Sequence, residues 1–400
     1  MTRTILDIHI LQNVPPSNLN RDDTGTPKSA DFGGVRRARV SSQAWKRATR
    51  RAFNNLLPPE ELGVRTKKVA EALADRIVER DKSLAPVAVQ LAAEMLKTAT
   101  GSKIEVPKRK ERNGGDAAAV PESAYLMFLS RRQLDSLAEL TIKGSGPDGD
   151  VKTLVEHLKD KENKAAARKA IDARHSVDIA LFGRMVADSA DLNVDAATQV
   201  AHALSVHKSE IESDYYTAVD DLSTEEESGA GMIGTIDFNS ATLYRYAAID
   251  VNELHRNLGL GLRDDESPST PVEKAVGRFL EAFITSLPTG KVNTFGNHTL
   301  PSAVIVKLRN RWPVSFVGAF EEPVPKGPNG GFLRESCQRL AAYVPDLEAQ
   351  YGIATDDTDS WVFRVGEETL GLAPLGAPVS LDSLVRDVST AVAQRMGSTG

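Results

Sequence analysis

From Thr4 to Leu11 the chain alternates, with Leu6, Ile8 and Ile10 on one side and Asp7 and His9 on the other. A period of two predicts a half-buried first strand, and Pro15 and Pro16 end it. Asn18 to Asp31 has the Gly, Pro and Asp content of a loop. Gly33-Gly34 allows a tight turn or a close backbone approach to a ligand. Val35 to Val40 predicts a short extended piece with Arg37 and Arg39 on one side. The period then becomes helical. Behind a serine cap at Ser41 or Ser42, Trp45, Ala48, Thr49 and Ala52 share one face, and Gln43, Lys46, Arg47 and Arg50 share the opposite one. The apolar face is expected to dock on a sheet and the basic face to look outward.

Pro58-Pro59 closes this unit. Glu60 to Thr100 is helical in pattern, with Val69, Leu73, Ile77, Val89, Leu91, Met95 and Leu96 on its core faces. Lys103 to Ala119 is polar and basic and reads as a loop or exposed hairpin. Ser130 caps a helix running to about Leu140, and Lys152 to Ile171 is a charged helix. Residues 58–172 therefore read as a mainly helical insertion. Val177 to Met185 returns to core-like sequence, and Asn193 to His207 fits strand or helix equally. Met232 to Asn239 and Thr242 to Ile249 read as two strands of a hairpin. Thr270-Pro271-Val272-Glu273 is a capping box for a helix burying Val272, Val276, Phe279, Leu280 and Phe283. Ala303 to Leu308 and Val314 to Phe320 are strand-like, and a last helix after Ser380 buries Leu381, Leu384, Val388 and Val392. This order supports a two-layer α+β class.

Charge changes the picture at one place. The chain carries a formal net charge of −6, yet Lys28 to Arg51 holds eight basic residues against one acid, Asp31. A dense patch of one sign in an oppositely charged protein marks a polyanion site, or else a basic helix salt-bridged to an acidic neighbour. The helix N-terminus adds N–H groups that suit phosphate. By contrast, Lys208 to Glu227 carries eight acids around Asp214-Tyr215-Tyr216-Thr217, with Asp220-Asp221 behind. Those acids would repel a phosphate backbone, so any role for the segment runs through bases or another protein. Composition excludes several classes. One cysteine, Cys337, excludes an intrachain disulfide and a thiolate zinc site. No apolar run reaches bilayer length and no apolar signal region opens the chain, so no membrane partner and a cytoplasmic location are expected.

Candidate chemistry is sparse. His202 and His207 are five apart and do not share a helical face, and no HExxH, phosphate-loop or GxSxG pattern occurs. Gly229, Gly231 and Gly234 have dinucleotide-loop spacing but follow an acidic loop and open a strand, so they read as chance. Asp22-Asp23 is either a carboxylate pair for Mg²⁺ and phosphodiester cleavage or a loop acid bracing the basic segment. Tyr215 and Tyr216 are candidates for stacking on bases, or one of them is core. Met185 alone reads as a core methionine. No cofactor site and no catalytic set are expected.

The phrase LNRDD…K…FGG…RRARVSSQAWKRA, with Asp178–Met185, Ala201-His202-Ala203 and Tyr216 to Asp221, resembles the CasC/Cse4 family, the CRISPR RNA-binding backbone subunit of the type I-E Cascade complex. The resemblance is close over residues 1–53 and about 171–250. It implies an RRM-like (ferredoxin-like) palm formed by 1–57 and 173–400, a helical finger insertion over 58–172, and a thumb-like hairpin near 200–230. It implies a non-catalytic subunit that polymerises head-to-tail with copies of itself along a CRISPR guide RNA. The other implied partners are further Cascade subunits and, through guide pairing, a target DNA strand. Arg21, Lys28, Ser41, Gln43, Lys46, Arg47 and Arg50 carry over as RNA-binding residues. Met185, Tyr215, Tyr216 and Thr217 carry over as a wedge beside a displaced base. Backbone subunits of other CRISPR types cleave target RNA with an acid, so a metal-dependent ribonuclease through Asp22 and Asp23 stands as the alternative.

Overall fold

The computed structural model describes residues 3–106, 120–173, 175–186, 190–218, 232–259, 269–353 and 358–397. Most of the basic loop expected at 103–119, the pair Asp220-Asp221, the glycines Gly229 and Gly231, and residues 219–230 of the expected thumb lie outside them. The fold is α+β and divides into two compact units, one of residues 1–53, 198–251 and 276–400, the other of 54–197 and 252–275.

The first unit is built on a ten-stranded sheet among the described residues. Its strands include β1 (Ile5–Ser17), β2 (Ser29–Phe32), β3 (Val35–Val40), β4 (Ala203–Ser205), β5 (Glu212–Ala218), β6 (Met232–Asp250), β7 (Ala303–Arg309) and β8 (Asp359–Arg364). Their order along the main path is β8-β7-β1-β6-β4-β3-β2, with β5 paired to the free half of β6. β1 lies between β6 and β7, antiparallel to both, with Ile8 opposite Ala247 on one side and Val306 on the other.

The expectation of a half-buried strand is corrected, because the segment at Val314–Phe316 and the helix Leu333–Gln350 pack over its second face. Asp7 and His9 are as buried as Leu6 and Ile8, and they are paired accordingly. Asp7 accepts from Tyr246 at 2.8 Å, Arg309 Nε at 2.8 Å and the Val314 amide at 3.1 Å. Arg309 also reaches Glu348 at 2.6 Å, and Glu348 pairs with Lys307 at 2.9 Å. His9 stacks on Phe316 at 3.9 Å and meets the Tyr244 hydroxyl at 2.9 Å.

Three further expectations are corrected. The two strands read over 232–249 are one strand of 19 residues; Asn239 and Ser240 continue it because it changes partner there, from β5 to β1. Val314 to Phe320 is not a strand but ends in a short 3₁₀ turn, Val317–Phe320. The charged helix over 152–171 is two helices, Val151–His157 and Lys161–Ile171, the second capped by Asp160.

The second unit packs the helices Val69–Arg80, Ala88–Thr100 and Arg131–Ser145 around Leu73, Ile77, Leu91, Leu96, Leu134 and Leu137. Ser130 caps the third, with Gln133 completing a capping box. The expected insertion of 58–172 lies wholly within this unit. Among the described residues no helix is long and apolar enough to cross a membrane.

Candidate nucleic-acid interface

The basic segment is shaped by two local devices, a tight turn between β2 and β3 and a serine cap on the helix that follows. Between β2 and β3, Phe32 pairs with Val35, so Gly33-Gly34 is a two-residue connection. Both glycines have positive φ, 60° and 76°, as a type I′ turn requires. Gly33 is tighter still, because a Cβ there would stand 1.6 Å from the Glu321 carbonyl oxygen. The close approach expected at this turn is therefore to the chain's own backbone.

Helix α1 (Ser42–Leu56) follows β3 directly. Ser41 is its cap: the Ser41 hydroxyl accepts from the Ala44 amide at 3.3 Å, and the Ser41 amide donates to Asn20 Oδ1 at 2.9 Å. Ser41 is itself buried, so its part in any RNA contact lies in ending the helix with free amides. The inward face is Trp45, Thr49 and Phe53, with Ala48 and Ala52 at its margins. Trp45 lies over the guanidinium of Arg245, 3.8 Å from Cζ to the ring centroid, and Phe283 is 4.6 Å away on the same group. Arg245 donates to Gln12 Oε1 at 2.6 Å and to the Phe283 carbonyl. Burial lowers its pKa to about 9.

The outward face carries exposed Gln43, Arg47 and Arg51 at i, i+4 and i+8, flanked by half-buried Lys46 and Arg50. Among the described residues Lys28, Lys46, Arg47 and Arg51 form no ion pair. The alternative of a basic helix salt-bridged to an acidic neighbour is thus not realised at those four positions. Partial desolvation lowers the Lys46 pKa. Arg51, which the resemblance does not name, joins this face, and its spacing of four from Arg47 is the sequence signal for it.

Arg37 leaves the basic patch. It is fully buried and donates to the carbonyls of Phe32 at 3.1 Å, Ser205 at 3.1 Å, Phe320 at 2.9 Å and Glu321 at 2.9 Å. Arg39, on the same side of β3, stays half-exposed.

The turn Arg21–Pro27 is closed by Asp22. One carboxylate oxygen accepts from the Thr24 hydroxyl at 2.7 Å and from the Thr24 and Thr26 amides at 3.0 Å each. The Thr24 hydroxyl bond leads the causes that lower the Asp22 pKa. Asn18 and Thr26 tie the turn to Asp237 on β6 at 2.8 Å each. Arg21 is exposed and its backbone bridges to Pro27. Among the described residues no group of three His, Cys, Asp or Glu side chains is placed to hold a metal ion.

The hairpin of β5 with β6 exposes Tyr215 (61%) and Tyr216 (41%), with Thr217 exposed beside them. Neither tyrosine is core. Tyr216 lies opposite Gly234, where a Cβ would stand 2.4 Å from the phenol ring. Gly234 thus makes room for the ring, a local reason for a glycine first met in a chance spacing. Met185 belongs to the second unit and is 80% exposed, which corrects its reading as core. Gly183 at φ 77° turns the chain, and buried Arg184 anchors it by donating to Leu192 and Ile171 carbonyls at 2.9 and 3.0 Å.

The family described as CT1975-like protein matches residues 6–387. One solved chain, described as "CRISPR RNA-guided surveillance complex, pre-nicking", is similar at 31% identity and TM-score 0.79, covering 97% of this chain and 100% of that one. A second, "CRISPR RNA-guided surveillance complex", is similar at 28% identity and TM-score 0.68, covering 97% and 99%. No curated protein matches the sequence.

Proposed function

This chain belongs to the CT1975-like protein family, and on that premise we propose that it is a guide-RNA-binding backbone subunit of an RNA-guided CRISPR surveillance complex. The observation that carries the reading is the outward face of α1, where Lys46, Arg47 and Arg51 stand without an ion pair among the described residues in a protein of net charge −6. Contacts of this kind go to phosphates and carry no sequence information. A subunit that holds any guide needs that neutrality, and base pairing between guide and target then supplies specificity.

The finer assignment is type I-E and the CasC kind of subunit, binding head-to-tail to its own copies, to other Cascade subunits and, through the guide, to a target DNA strand. In that arrangement Arg21, Lys28, Ser41, Gln43, Lys46, Arg47 and Arg50 form or support the grip. The exposed Met185, Tyr215, Tyr216 and Thr217 act on the bases, and residues 58–172 form the finger. The subunit is non-catalytic, a reading supported by the use of the Asp22 carboxylate inside its own turn.

Two measurements test this. Purified with its neighbouring subunits, the chain is expected to bring down RNA of uniform length, and Lys46→Ala with Arg47→Ala to lower the yield for every guide sequence. Equal RNA retention in the double variant overturns the grip. The assembled complex given complementary RNA and Mg²⁺ is expected to leave it intact; regularly spaced products lost in Asp22→Ala would establish a ribonuclease instead.

A further inference from the structure

A second cationic cluster, which joins Lys28 to two residues not assigned above, lies where β3 meets β4. The Arg39 amide donates to the Lys28 carbonyl at 2.9 Å, so the two side chains leave one backbone rung. The Arg39 Nε donates to the Ser29 carbonyl at 3.1 Å, which fixes the guanidinium. Arg39 pairs with Leu204 and Val40 with Ala203. His202 therefore stands two residues from Leu204 on the same face, a diagonal neighbour of Arg39. It is exposed, and its Nδ1 is 3.4 Å from Arg39 Nη1. Carrying the register one step further sets His202 across from Ser41, the cap of α1.

The charged groups facing His202 are Arg39 from β3 and Lys28 from the segment before β2. Behind it, the Ala201 amide is tied to the Tyr246 carbonyl at 3.0 Å, which fixes the backbone beside the ring. A guanidinium only donates. The contact with Nδ1 therefore requires a neutral imidazole whose lone pair points at Arg39. A protonated ring would set N–H against N–H and bring a third positive charge beside Arg39 and Lys28, the two charges that act on His202 among the described residues. Partial desolvation, then Arg39 and Lys28, accordingly lower the His202 pKa. An anion among the three reverses this balance, because it favours the charged ring and offers oxygens to all three donors.

We propose that Lys28, Arg39 and His202 form a seat for one phosphate of the bound RNA, and that His202 takes up a proton as the phosphate arrives. The proton comes from solvent and goes to Nδ1. The Arg39–Nδ1 contact is lost and both groups turn to the phosphate oxygens. Binding is thereby linked to pH, tighter at low pH where the proton is already available. The inference rests on the RNA-binding reading and adds two residues and a proton to it.

The test measures affinity of the full chain for a radiolabelled single-stranded RNA at one salt concentration, from about pH 8 to about pH 6. A rise of one unit in the imidazole pKa on binding gives up to roughly a tenfold gain in affinity over that range. The gain is expected in the native chain and absent in His202→Gln, whose exposed position leaves the fold intact. The His202 ring signal, followed by nuclear magnetic resonance, is expected to titrate at higher pH with RNA than without. Equal pH dependence in the native chain and His202→Gln, or an unmoved ring titration in the complex, overturns the seat while leaving RNA binding standing. Failure of the native chain to bind RNA at any pH removes the RNA-binding reading and the seat together.

Discussion

At the scale of single residues, burial separates cations that the sequence presents as equals. Arg36 and Arg37 are adjacent, yet Arg36 is exposed and Arg37 is enclosed by four carbonyl oxygens. Arg37→Gln leaves several buried acceptors unpaired, and we expect urea titration to give a loss of about 3 kcal/mol in unfolding free energy. Lys46 and Arg47 should behave oppositely. Replacing either by alanine is expected to change unfolding by no more than about 0.5 kcal/mol. Each should weaken RNA binding at every sequence and reduce the slope of log affinity against log salt by about 0.7, the value for one phosphate contact on a single strand. A full-size salt slope in the double variant would falsify the assignment of this face.

At the scale of elements, α1 depends on its cap and its anchor. Ser41→Ala removes the hydroxyl that receives the Ala44 amide, at a cost of about 1 kcal/mol measured by chemical unfolding. Trp45→Ala removes a fully buried ring from the Arg245 guanidinium and is expected to cost about 3–5 kcal/mol. It leaves that guanidinium without its stacking partner and frees the pitch of the helix. The hairpin of β5 and β6 calls for a different outcome, because its tyrosines are exposed. Tyr215→Ala should leave the thermal midpoint nearly unchanged. In the assembled complex it should weaken RNA retention by the roughly 1–3 kcal/mol that one stacked base contributes, and unaltered retention would argue against a wedge.

At the scale of the whole molecule, the centre of the sheet contains a buried charge network in place of an apolar layer. Asp7, Arg309, Glu348 and Lys307 pair across β1, β7 and the helix Leu333–Gln350. Removing one partner strands the others, so Arg309→Ala is expected to destabilise by about 3–5 kcal/mol. The network also gives stability a pH dependence. Burial raises the Asp7 pKa from 3.8 to about 6, against the pull of Arg309, Tyr246 and the Val314 amide. The folded state therefore holds this proton more tightly than the unfolded chain. The contribution of Asp7 is fully present below its unfolded value of 3.8 and falls as pH rises through about 6. Thermal midpoints measured across that window should show this decline. Asp7→Asn, whose amide does not titrate, should remove the component while lowering overall stability.

The α+β class, the serine cap and the two faces of α1 were legible in the sequence because they rest on local chemistry: strand and helix periods, a hydroxyl beside free amides, and side chains about 100° apart on one helix. The serine cap at Ser130 and the core positions of the helices at 69–100 were legible for the same reason. What depends on partners distant in the chain was not. Whether β1 has one buried face or two is decided by what packs on the sheet: Val314 and Phe316 meet Asp7 and His9, and Glu348 of the helix Leu333–Gln350 holds Arg309 beside them, all from more than two hundred residues later. Arg37 is internal because Ser205, Phe320 and Glu321 converge on it. Met185 is exposed because Gly183 turns the chain and buried Arg184 anchors it against Leu192 and Ile171. Periodicity and composition record what each residue prefers. Pairing between distant segments decides which preferences meet, and only the tertiary structure brings Lys28, Arg39 and His202 to one place.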